Sequence, residues 1–379
     1  MKLLMVSGDR QVCVGERGPF HAMQREFSRY FERIDVLCPR PDRPVSTRRI
    51  HGRVHFHPAP CGRAGMANYV KSAGEVLLRA HGHALIVSHD YGWFYNGIGS
   101  ALLSKRTGVP YLSELHHVPG YPIAVDLRES LDRLIARLYV NWARDRAIAF
   151  RVVNHEEMPQ LLRHWQVAEQ KILVLPSLYI DFQVFSPAPG PVVAEQDVLF
   201  VGRMVRNKGV GNILEALARL KQKGLALRAL FVGKGPLLAE LRRQASRRGL
   251  GGDARFLEWV DSPGELARIY QRSRVCVCAS SCEGGPRFTV EAMACGTPVV
   301  STPVGVMGDL LGDGAAGRLC GFDSKSLAEA LERVLADESA RRAMGMRAIE
   351  LTRPFEYGRA IGLYANGLRR LVGEEEVVL

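Results

Sequence analysis

Two glutamates enclose a glycine-rich stretch in the second half of the chain. Residues 282–300 read CEGGPRFTVEAMACGTPVV, which places Glu283 and Glu291 eight positions apart. An ionised carboxylate accepts several hydrogen bonds and therefore suits the hydroxyl groups of a sugar or a ribose. Gly284 and Gly285 leave the main chain bare, so that its amides can approach a ligand closely. The stretch therefore predicts a loop that contacts a hydroxyl-rich ligand.

Two cations lie on either side of an earlier turn. The segment LFVGRMVRNKGVG is a strand-like run that turns into a helix, and Arg203 and Lys208 bracket the turn. The free amides and the dipole of a helix N-terminus add to such side-chain charges, which predicts an anion site. A similar turn contains Gly233 but lacks the last glycine of a dinucleotide fingerprint. Taken singly, each feature is also typical of a solvated loop. Together, cations for a diphosphate and carboxylates for hydroxyls indicate a nucleoside-diphosphate sugar.

The elements that would position these residues alternate along the chain. Strand-like runs cover residues 2–7, 34–39, 84–89, 110–115, 149–154, 197–202, 227–233, 254–260, 274–280 and 297–302. Helical patterns cover residues 21–33, 96–108, 126–147, 211–224, 237–249 and 263–272. This alternation predicts an α/β fold of parallel sheets with helices on both faces. The proline-rich segment 185–197 separates the two series and reads as a linker.

We therefore expect two doubly wound domains that face each other across a cleft. The first domain would cover residues 1–186 and provide the acceptor side, and the second would cover residues 187–353 and bind the nucleotide sugar. A C-terminal helix and tail over residues 354–379 would pack back toward the first domain.

Polar and aromatic residues follow two of the strand-like runs in the first half. The residues concerned are His89, Asp90, Tyr91, Trp93, His116 and His117. Ligands bind outside the carboxyl ends of parallel strands, so that these side chains are candidates for an acceptor site. A solvated or internally bonded histidine is the alternative for each imidazole, and the aromatic rings could equally belong to the core or to a lipid-facing surface.

The charge balance of the chain is basic. Its 379 residues include 51 lysines and arginines against 39 aspartates and glutamates, a formal net charge of +12. Such a surface attracts anions, yet no nucleic-acid-binding motif accompanies it, and we expect no nucleic-acid partner. Residues 129–151 combine large apolar residues with arginines, which is typical either of a helix docked on an anionic membrane surface or of an ordinary domain helix. Because we find neither a secretory signal nor an apolar run of about 18 residues, we expect a cytoplasmic protein, with peripheral contact to the inner membrane face as the alternative.

Cysteines and histidines form no metal-ligand pattern. The eight cysteines are scattered without a CxxC pair, which predicts reduced cysteines in the core. No carboxylate or cysteine completes a set with the histidine pairs at 55 and 57 or at 81 and 83, and there is no DxD motif. We therefore expect neither a metal ion nor another cofactor.

The motifs of the second half resemble those of the family 4 retaining glycosyltransferases. The matching residues are Gly202-Arg203…Lys208-Gly209, Gly233-Lys234-Gly235-Pro236 and the stretch from Glu283 to Val300, in the family's order and spacing. The resemblance covers most of the second half and, loosely, the first. It implies the GT-B fold of two facing Rossmann-like domains. The sequence departs from the family pattern at Gly285 and Pro286, at the additional charge of Arg287, and at PSLYID (176–181).

The resemblance also implies roles for individual residues. Arg203 and Lys208 would hold the donor diphosphate, Glu283 the sugar hydroxyls and Glu291 the ribose hydroxyls. The implied donor-binding residues are Gly15, Gly18, Arg203, Lys208, Gly233, Gly284, Gly285, Pro286, Arg287, Phe288 and Glu291. The implied catalytic residues are His116, Arg203, Lys208 and Glu283.

The activity that the resemblance implies is retaining, metal-independent transfer of a hexose or an N-acetylhexosamine in glycan or glycoconjugate biosynthesis. The donor would be a nucleoside-diphosphate sugar, a UDP-sugar in preference to a GDP-sugar, and the acceptor a hydroxyl of a glycan, a lipid-linked molecule or a small molecule. A nucleotide-sugar epimerase, a phosphorylase on the same fold and a non-catalytic sugar-nucleotide-binding protein remain as alternatives. A two-carboxylate glycosidase would leave the cations without a role.

Overall fold

The computed structural model describes residues 1–379 and contains two β-sheets, one in each half of the chain. The first is built from β1 (Lys2–Val6), β2 (Arg33–Cys38), β3 (Arg49–Ile50), β4 (Val54–Pro58), β5 (Leu85–His89), β6 (Tyr111–Glu114), β7 (Ala149–Val152) and β8 (Ile172–Val174). The second is built from β9 (Gln196–Val201), β10 (Ala229–Val232), β11 (Ala254–Leu257), β12 (Ser273–Cys278), β13 (Val299–Ser301) and β14 (Gly317–Leu319).

Thirteen α-helices connect and cover these strands. They are α1 (Pro19–Phe27), α2 (Met66–His81), α3 (Tyr95–Thr107), α4 (Leu127–Ala143), α5 (Glu157–His164), α6 (Val210–Gln222), α7 (Leu238–Arg247), α8 (Pro263–Gln271), α9 (Arg287–Ala294), α10 (Met307–Leu311), α11 (Ser324–Ala336), α12 (Glu338–Thr352) and α13 (Tyr357–Leu371). None of them is long and apolar enough to cross a membrane.

The strand order confirms the doubly wound topology, with one correction. The first sheet runs β3-β4-β2-β1-β5-β6-β7-β8 and the second β11-β10-β9-β12-β13-β14. Every pair is parallel except β3 with β4, so that the first sheet is mixed and not wholly parallel as predicted. The reason is local: only three residues separate β3 from β4, which is enough for a hairpin but far too short for a parallel crossover.

Both faces of each sheet are buried, as parallel sheets require. On β1, Leu4 and Val6 belong to a core shared with α2, α3 and α4. Their neighbours Leu3 and Met5 point to the opposite core, which includes residues of α1 and α13. The two-residue alternation of side chains along a strand produces this division.

Helix α13 returns from the second half of the chain to the first. Ile361, Tyr364 and Leu368 are buried in the same core as Leu3, and the ring of Tyr364 stacks on that of Phe27 at 4.9 Å. The C-terminal helix is therefore part of the layer that covers the first sheet.

Candidate active site

A cleft of about 640 Å³ lies at the carboxyl ends of the first sheet's strands, where it meets the second domain. His89, His116 and His117 line it from the first domain, and Arg287 of α9 lines it from the second. Cys282 donates a hydrogen bond across the interface to the carbonyl of Val118, with 3.2 Å between sulfur and oxygen. The structure thus brings the two strand ends of the first half to the glycine-rich stretch of the second.

Lys208 and Glu283 meet directly. The Lys208 Nζ donates to Glu283 Oε1, and the same oxygen accepts from Ser280 Oγ at 3.0 Å. Gly209 makes the approach possible: its φ is +63°, and a Cβ there would lie 2.1 Å from the carbonyl oxygen of Ala279. Only glycine fits, and its presence lets the turn with Lys208 lie against the loop with Glu283.

Glu291 is buried on α9 and already has protein partners. The hydroxyl of Tyr270 donates to one of its oxygens at 3.1 Å, and Arg287 Nε donates to the other at 2.8 Å. Burial raises the pKa of Glu291, and the charge of Arg287 opposes that rise. Arg287 therefore contacts Glu291, the residue predicted to bind the ribose, and also lines the interdomain cleft.

Arg203 lies in a separate cavity of about 400 Å³ at the ends of β9, β10 and β11. Gly233, Lys234 and Trp259 line the same cavity, and Lys234 Nζ lies 5.7 Å from the centre of the Trp259 ring. Gly233 has a φ of +137°, and a Cβ there would lie 2.0 Å from the carbonyl oxygen of Gly202. Close packing of the two strand ends thus requires glycine at this position.

The residues between the two glutamates have distinct surroundings. A Cβ on Gly284 would lie 2.7 Å from the carbonyl oxygen of His116, so that this glycine lets the domains touch. Gly285 packs against Leu178, and Pro286 is the residue before α9. The ring of Phe288 packs edge-on against Phe200 of β9 at 5.9 Å, which directs it into its own domain.

The two adjacent histidines have different neighbours. Burial and the nearby Arg151 guanidinium lower the pKa of His116 to about 3, so that this imidazole is neutral, and its Nε2 has no hydrogen-bond partner. Burial in the cleft also lowers the pKa of His117, whereas the charge of Glu283 acts in the opposite direction. Of the pair, His117 is thus the one that senses the charge of Glu283.

Asp90 is buried and lines the cleft. It accepts hydrogen bonds from Ser88 at 2.6 Å, from Tyr139 at 2.7 Å and from Ser113. Burial raises its pKa to about 7, against the effect of these hydrogen bonds. Its bonds are all to its own domain, which gives Asp90 a supporting role in the fold.

The remaining predicted residues lie around the rim. Tyr91 lines the cleft and is half exposed, whereas Trp93 lines a small side pocket. Gly15 has a φ of +85° in the loop before α1, and Gly18 is the residue just before that helix. Neither glycine lines the cleft, which in this region is formed by Pro19 and Phe20.

The sequence analysis missed a buried ionic network beside the histidines. Glu114 Oε1 accepts from Arg151 and from the hydroxyl of Tyr364, each at 2.6 Å, and its Oε2 lies 2.6 Å from His89 Nε2. The Arg151 guanidinium lies 3.7 Å from the centre of the Tyr364 ring. Burial opposes the ionisation of Glu114, yet Arg151 and His89 hold its pKa well below its usual range. No group of three or more histidine, cysteine, aspartate or glutamate side chains is arranged to hold a metal ion.

Two family models match consecutive parts of this chain and together cover most of it. Residues 20–177 match a glycosyl transferase 4-like domain, and residues 181–351 match the glycosyl transferases group 1. The chain is 28% identical over 301 residues to the D-inositol 3-phosphate glycosyltransferase of Segniliparus rotundus, a match that spans 75% of this chain and 66% of the relative. It is 27% identical over 340 residues to the alpha-maltose-1-phosphate synthase of Mycolicibacterium smegmatis, with 84% and 85% covered.

Solved structures share the fold over the full length. The sucrose-phosphate synthase of Thermosynechococcus elongatus superposes with a TM-score of 0.75 at 21% identity, covering 97% of this chain and 98% of the other. HepE of Anabaena, in complex with UDP and glucose, superposes with a TM-score of 0.72 at 20% identity, covering 98% and 100%.

Proposed function

This chain belongs to the family 4 glycosyltransferases and has their GT-B fold. We therefore propose that it transfers a hexose or an N-acetylhexosamine from a UDP-sugar to an acceptor hydroxyl. The transfer would retain the anomeric configuration and would need no metal ion. The direct contact between Lys208 and Glu283 carries the proposal, since it puts a group for phosphate beside a group for sugar hydroxyls. The complex of HepE with UDP and glucose supports a nucleotide-sugar donor.

The reaction makes one bond and breaks one. The acceptor oxygen forms a bond to the anomeric carbon while the bond from that carbon to the diphosphate breaks, and the electron pair leaves with the phosphate oxygen. In the retaining reaction the acceptor approaches on the face from which the diphosphate departs, so that the acceptor proton can pass to the departing phosphate oxygen. Lys208 and Arg203 would stabilise the charge that develops there, which is the largest contribution that a protein usually makes to such a reaction.

Donor binding would separate Lys208 from Glu283 and give each a partner on the donor. Lys208 would turn to the diphosphate, and Glu283, kept in place by Ser280, would accept hydrogen bonds from the sugar. Glu291 would likewise exchange Arg287 for the ribose hydroxyls. The acceptor would enter from the first domain, where His116 is held neutral, so that one of its ring nitrogens is a hydrogen-bond acceptor.

A thermal-shift assay with UDP-, GDP- and ADP-sugars in the presence of EDTA tests the donor site. A ligand at 100 times its dissociation constant stabilises a protein by about 2.7 kcal/mol. We expect a shift with UDP-sugars that is lost in Lys208→Ala and in Glu291→Ala. The exposed Lys105→Ala is the matched control and should keep the shift. Absence of a shift with all three classes would contradict the proposal. NMR of the released product, or of the hydrolysed donor, reads the anomeric configuration.

We also propose that helix α4 docks on an anionic membrane surface. Its exposed leucines are Leu127, Leu131, Leu134 and Leu138, of which Leu127 is 89% exposed. Their spacing of four, three and four residues places them on one face, and Arg128 and Arg137 are exposed on the same helix. An apolar face with adjacent arginines suits the boundary between acyl chains and anionic headgroups, and such docking would bring a lipid-linked acceptor to the cleft.

Sedimentation with lipid vesicles tests the docking face. The protein should sediment with vesicles that contain phosphatidylglycerol, and less with pure phosphatidylcholine. Leu131→Ser with Leu138→Ser should abolish the sedimentation, whereas Val76→Ser, a change of an exposed apolar residue on α2, should not. Equal sedimentation of the double leucine variant and Val76→Ser would refute docking through α4. Sedimentation without vesicles that the leucine changes remove would instead show self-association and would also refute it.

A further inference from the structure

Two acidic residues also join the domains, one from each side. The amide of Gly305, which follows β13, donates to the carboxyl group of Glu157 at the start of α5. The amide of His155 donates in the opposite direction, to Asp309 Oδ2 of α10, with 2.7 Å between nitrogen and oxygen. Each domain thus provides one acid and one amide. We call these four residues the interdomain clamp.

Gly305 of the clamp packs directly on the glycine-rich loop of the candidate active site. Its φ is +56°, and a Cβ there would lie 2.4 Å from the carbonyl oxygen of Gly284 and 2.9 Å from that of Glu283. On its other side, Gly284 meets the carbonyl oxygen of His116. The backbone of the loop is therefore packed between His116 and Gly305, and Gly305 is bonded to Glu157 of the first domain.

Glu157 lies among other acids. It is half-buried, and burial raises its pKa to about 8. The negative charges of Asp309 and Glu283 act in the same direction, whereas the hydrogen bond from Gly305 opposes them. Glu157 is therefore mostly neutral at pH 7 in this arrangement, and its ionised form would lie close to two other carboxyl groups.

The groups around the clamp do not compensate a charge on Glu157. Burial raises the pKa of Asp309 as well, while the amide and the imidazole of His155 oppose that rise. Lys208 is already paired with Glu283. The remaining titratable groups that face the two acids of the clamp are Glu156, Tyr121 and Cys282. None of these three side chains can carry a positive charge.

From these contacts, we propose that Glu157 is a positioning residue for the donor sugar, because it holds the loop of Glu283 against the first domain through Gly305. The proposal rests on the proposed function in one respect: it takes Glu283 as the residue that binds the sugar hydroxyls. The clamp has its own pH dependence. Since the pKa of Glu157 is raised in the closed arrangement, its contribution to closure is present at low pH and is lost as the pH rises from about 5 to 8.

Hydrogen exchange of the full-length protein, read by mass spectrometry, tests the clamp without any donor. Glu157→Gln keeps an oxygen that can accept from Gly305 but cannot ionise. At pH 5.5 the peptides that contain Gly305 and His155 should exchange equally in this variant and the wild type. Toward pH 8 the wild type should exchange faster than the variant, by up to about tenfold for each pH unit. The control is Asp145→Asn, a change of an exposed acid in the same domain, which should follow the wild type.

Titration with UDP and with UDP-sugars tests the positioning itself. At pH 6, the affinity of the wild type for UDP-glucose or UDP-N-acetylglucosamine should exceed its affinity for UDP. Glu157→Ala should lose about tenfold of this gain, the size of one hydrogen bond, and should bind UDP like the wild type. Glu157→Gln should keep the gain at pH 6 and, unlike the wild type, should also keep it at pH 8.

The two measurements separate this proposal from the proposed donor site. Equal exchange of the wild type and Glu157→Gln at pH 8 would overturn the proposal, and so would a sugar gain that survives in Glu157→Ala. Thermal midpoints at pH 6 verify that the variants fold. Failure of UDP itself to bind would contradict the donor site, whereas the exchange of the Gly305 and His155 peptides would still decide whether Glu157 holds the domains together.

Discussion

Replacement of Arg151 by methionine should destabilise the first domain strongly. Arg151 is 1% exposed and Glu114 is fully buried, with 2.6 Å between the paired atoms. Loss of one partner leaves the other charge buried without compensation, which typically costs about 3–5 kcal/mol. At about 2–4 °C for each kcal/mol in a domain of this size, the thermal midpoint should fall by roughly 6–20 °C. Calorimetry and circular dichroism measure it.

The control for this prediction is an arginine–glutamate pair on the surface of the same domain. Arg163 and Glu169 form two hydrogen bonds, but their side chains are 47% and 66% exposed. Solvent screens such a pair, so that Arg163→Met should leave the midpoint almost unchanged. A double variant, Glu114→Leu with Arg151→Met, should be less destabilised than the sum of its single changes, because it leaves no unpaired charge.

The pH dependence of the Arg151→Met variant gives an independent test. In the wild type the pKa of Glu114 is depressed, so that its contribution to stability is present above the unfolded-state pKa and is lost as the pH falls. Without Arg151, burial would raise that pKa instead, and the variant would lose stability as the pH rises. The difference in midpoint should therefore be larger at pH 7.5 than at pH 5. A difference that is small, or that narrows toward pH 7.5, would refute the reasoning.

Two further changes test the supporting residues. Because burial raises the pKa of Asp90 to about 7, its contribution to wild-type stability should be lost as the pH rises from 5 to 8. Asp90→Asn should therefore flatten the free energy of unfolding against pH in this range. An unchanged slope of that curve would argue against a raised pKa at Asp90. Gly284→Ala should lower donor affinity and cost about 1–3 kcal/mol of stability, because its Cβ would meet the carbonyl oxygen of His116. Gly251→Ala, where a Cβ meets nothing within 4 Å, is the comparison; equal effects of the two glycine changes would exclude a specific contact between the domains.

The strands were easier to predict than the helices and their ends. The long apolar runs of parallel strands, such as 197–202, need no tertiary information to be seen. Helix α2 was not predicted, although it has 16 residues. It begins after a glycine-rich turn and contains Gly74, a residue that usually weakens a helix. In the structure, a Cβ on Gly74 would lie 2.4 Å from a methyl carbon of Leu103, so that this glycine serves the close packing of α2 on α3.

Motif spacing located the site but not its pairing. It marked Lys208 and Glu283 as ligands of one donor, and the structure joins them in an ion pair. It gave no indication that Arg287 binds Glu291, because an i,i+4 pair on a helix has the same sequence pattern whether it is exposed or lines a cleft. Burial, which decides between these cases, depends on how the two domains meet.

The buried network beside the histidines left a signal that could have been read. Each of the runs PYLSEL and AFRVVN contains one charged residue among apolar ones, Glu114 in the first and Arg151 in the second. A charge inside a buried strand requires a partner. The structure pairs β6 with β7 in the register that sets Glu114 opposite Arg151. Two opposite charges in successive strands of a parallel sheet thus predict a salt bridge once the strands are taken as neighbours.

Tyr364, the third member of that network, links the C-terminal helix to the first domain. Tyr364 of α13 donates to Glu114, the carboxylate that also contacts His89 at the rim of the cleft. The chain reaches α13 by a second crossing between the domains, where the amide of Ile180 donates to the carbonyl of Phe355 at 2.8 Å and ties this crossing to the first. A relative movement of the domains would therefore bend the backbone at these two connecting segments, near Ile180 and near Phe355. Glu114 and its partners His89, Arg151 and Tyr364 all pack within the first domain, so that we expect them to move as one body with α13.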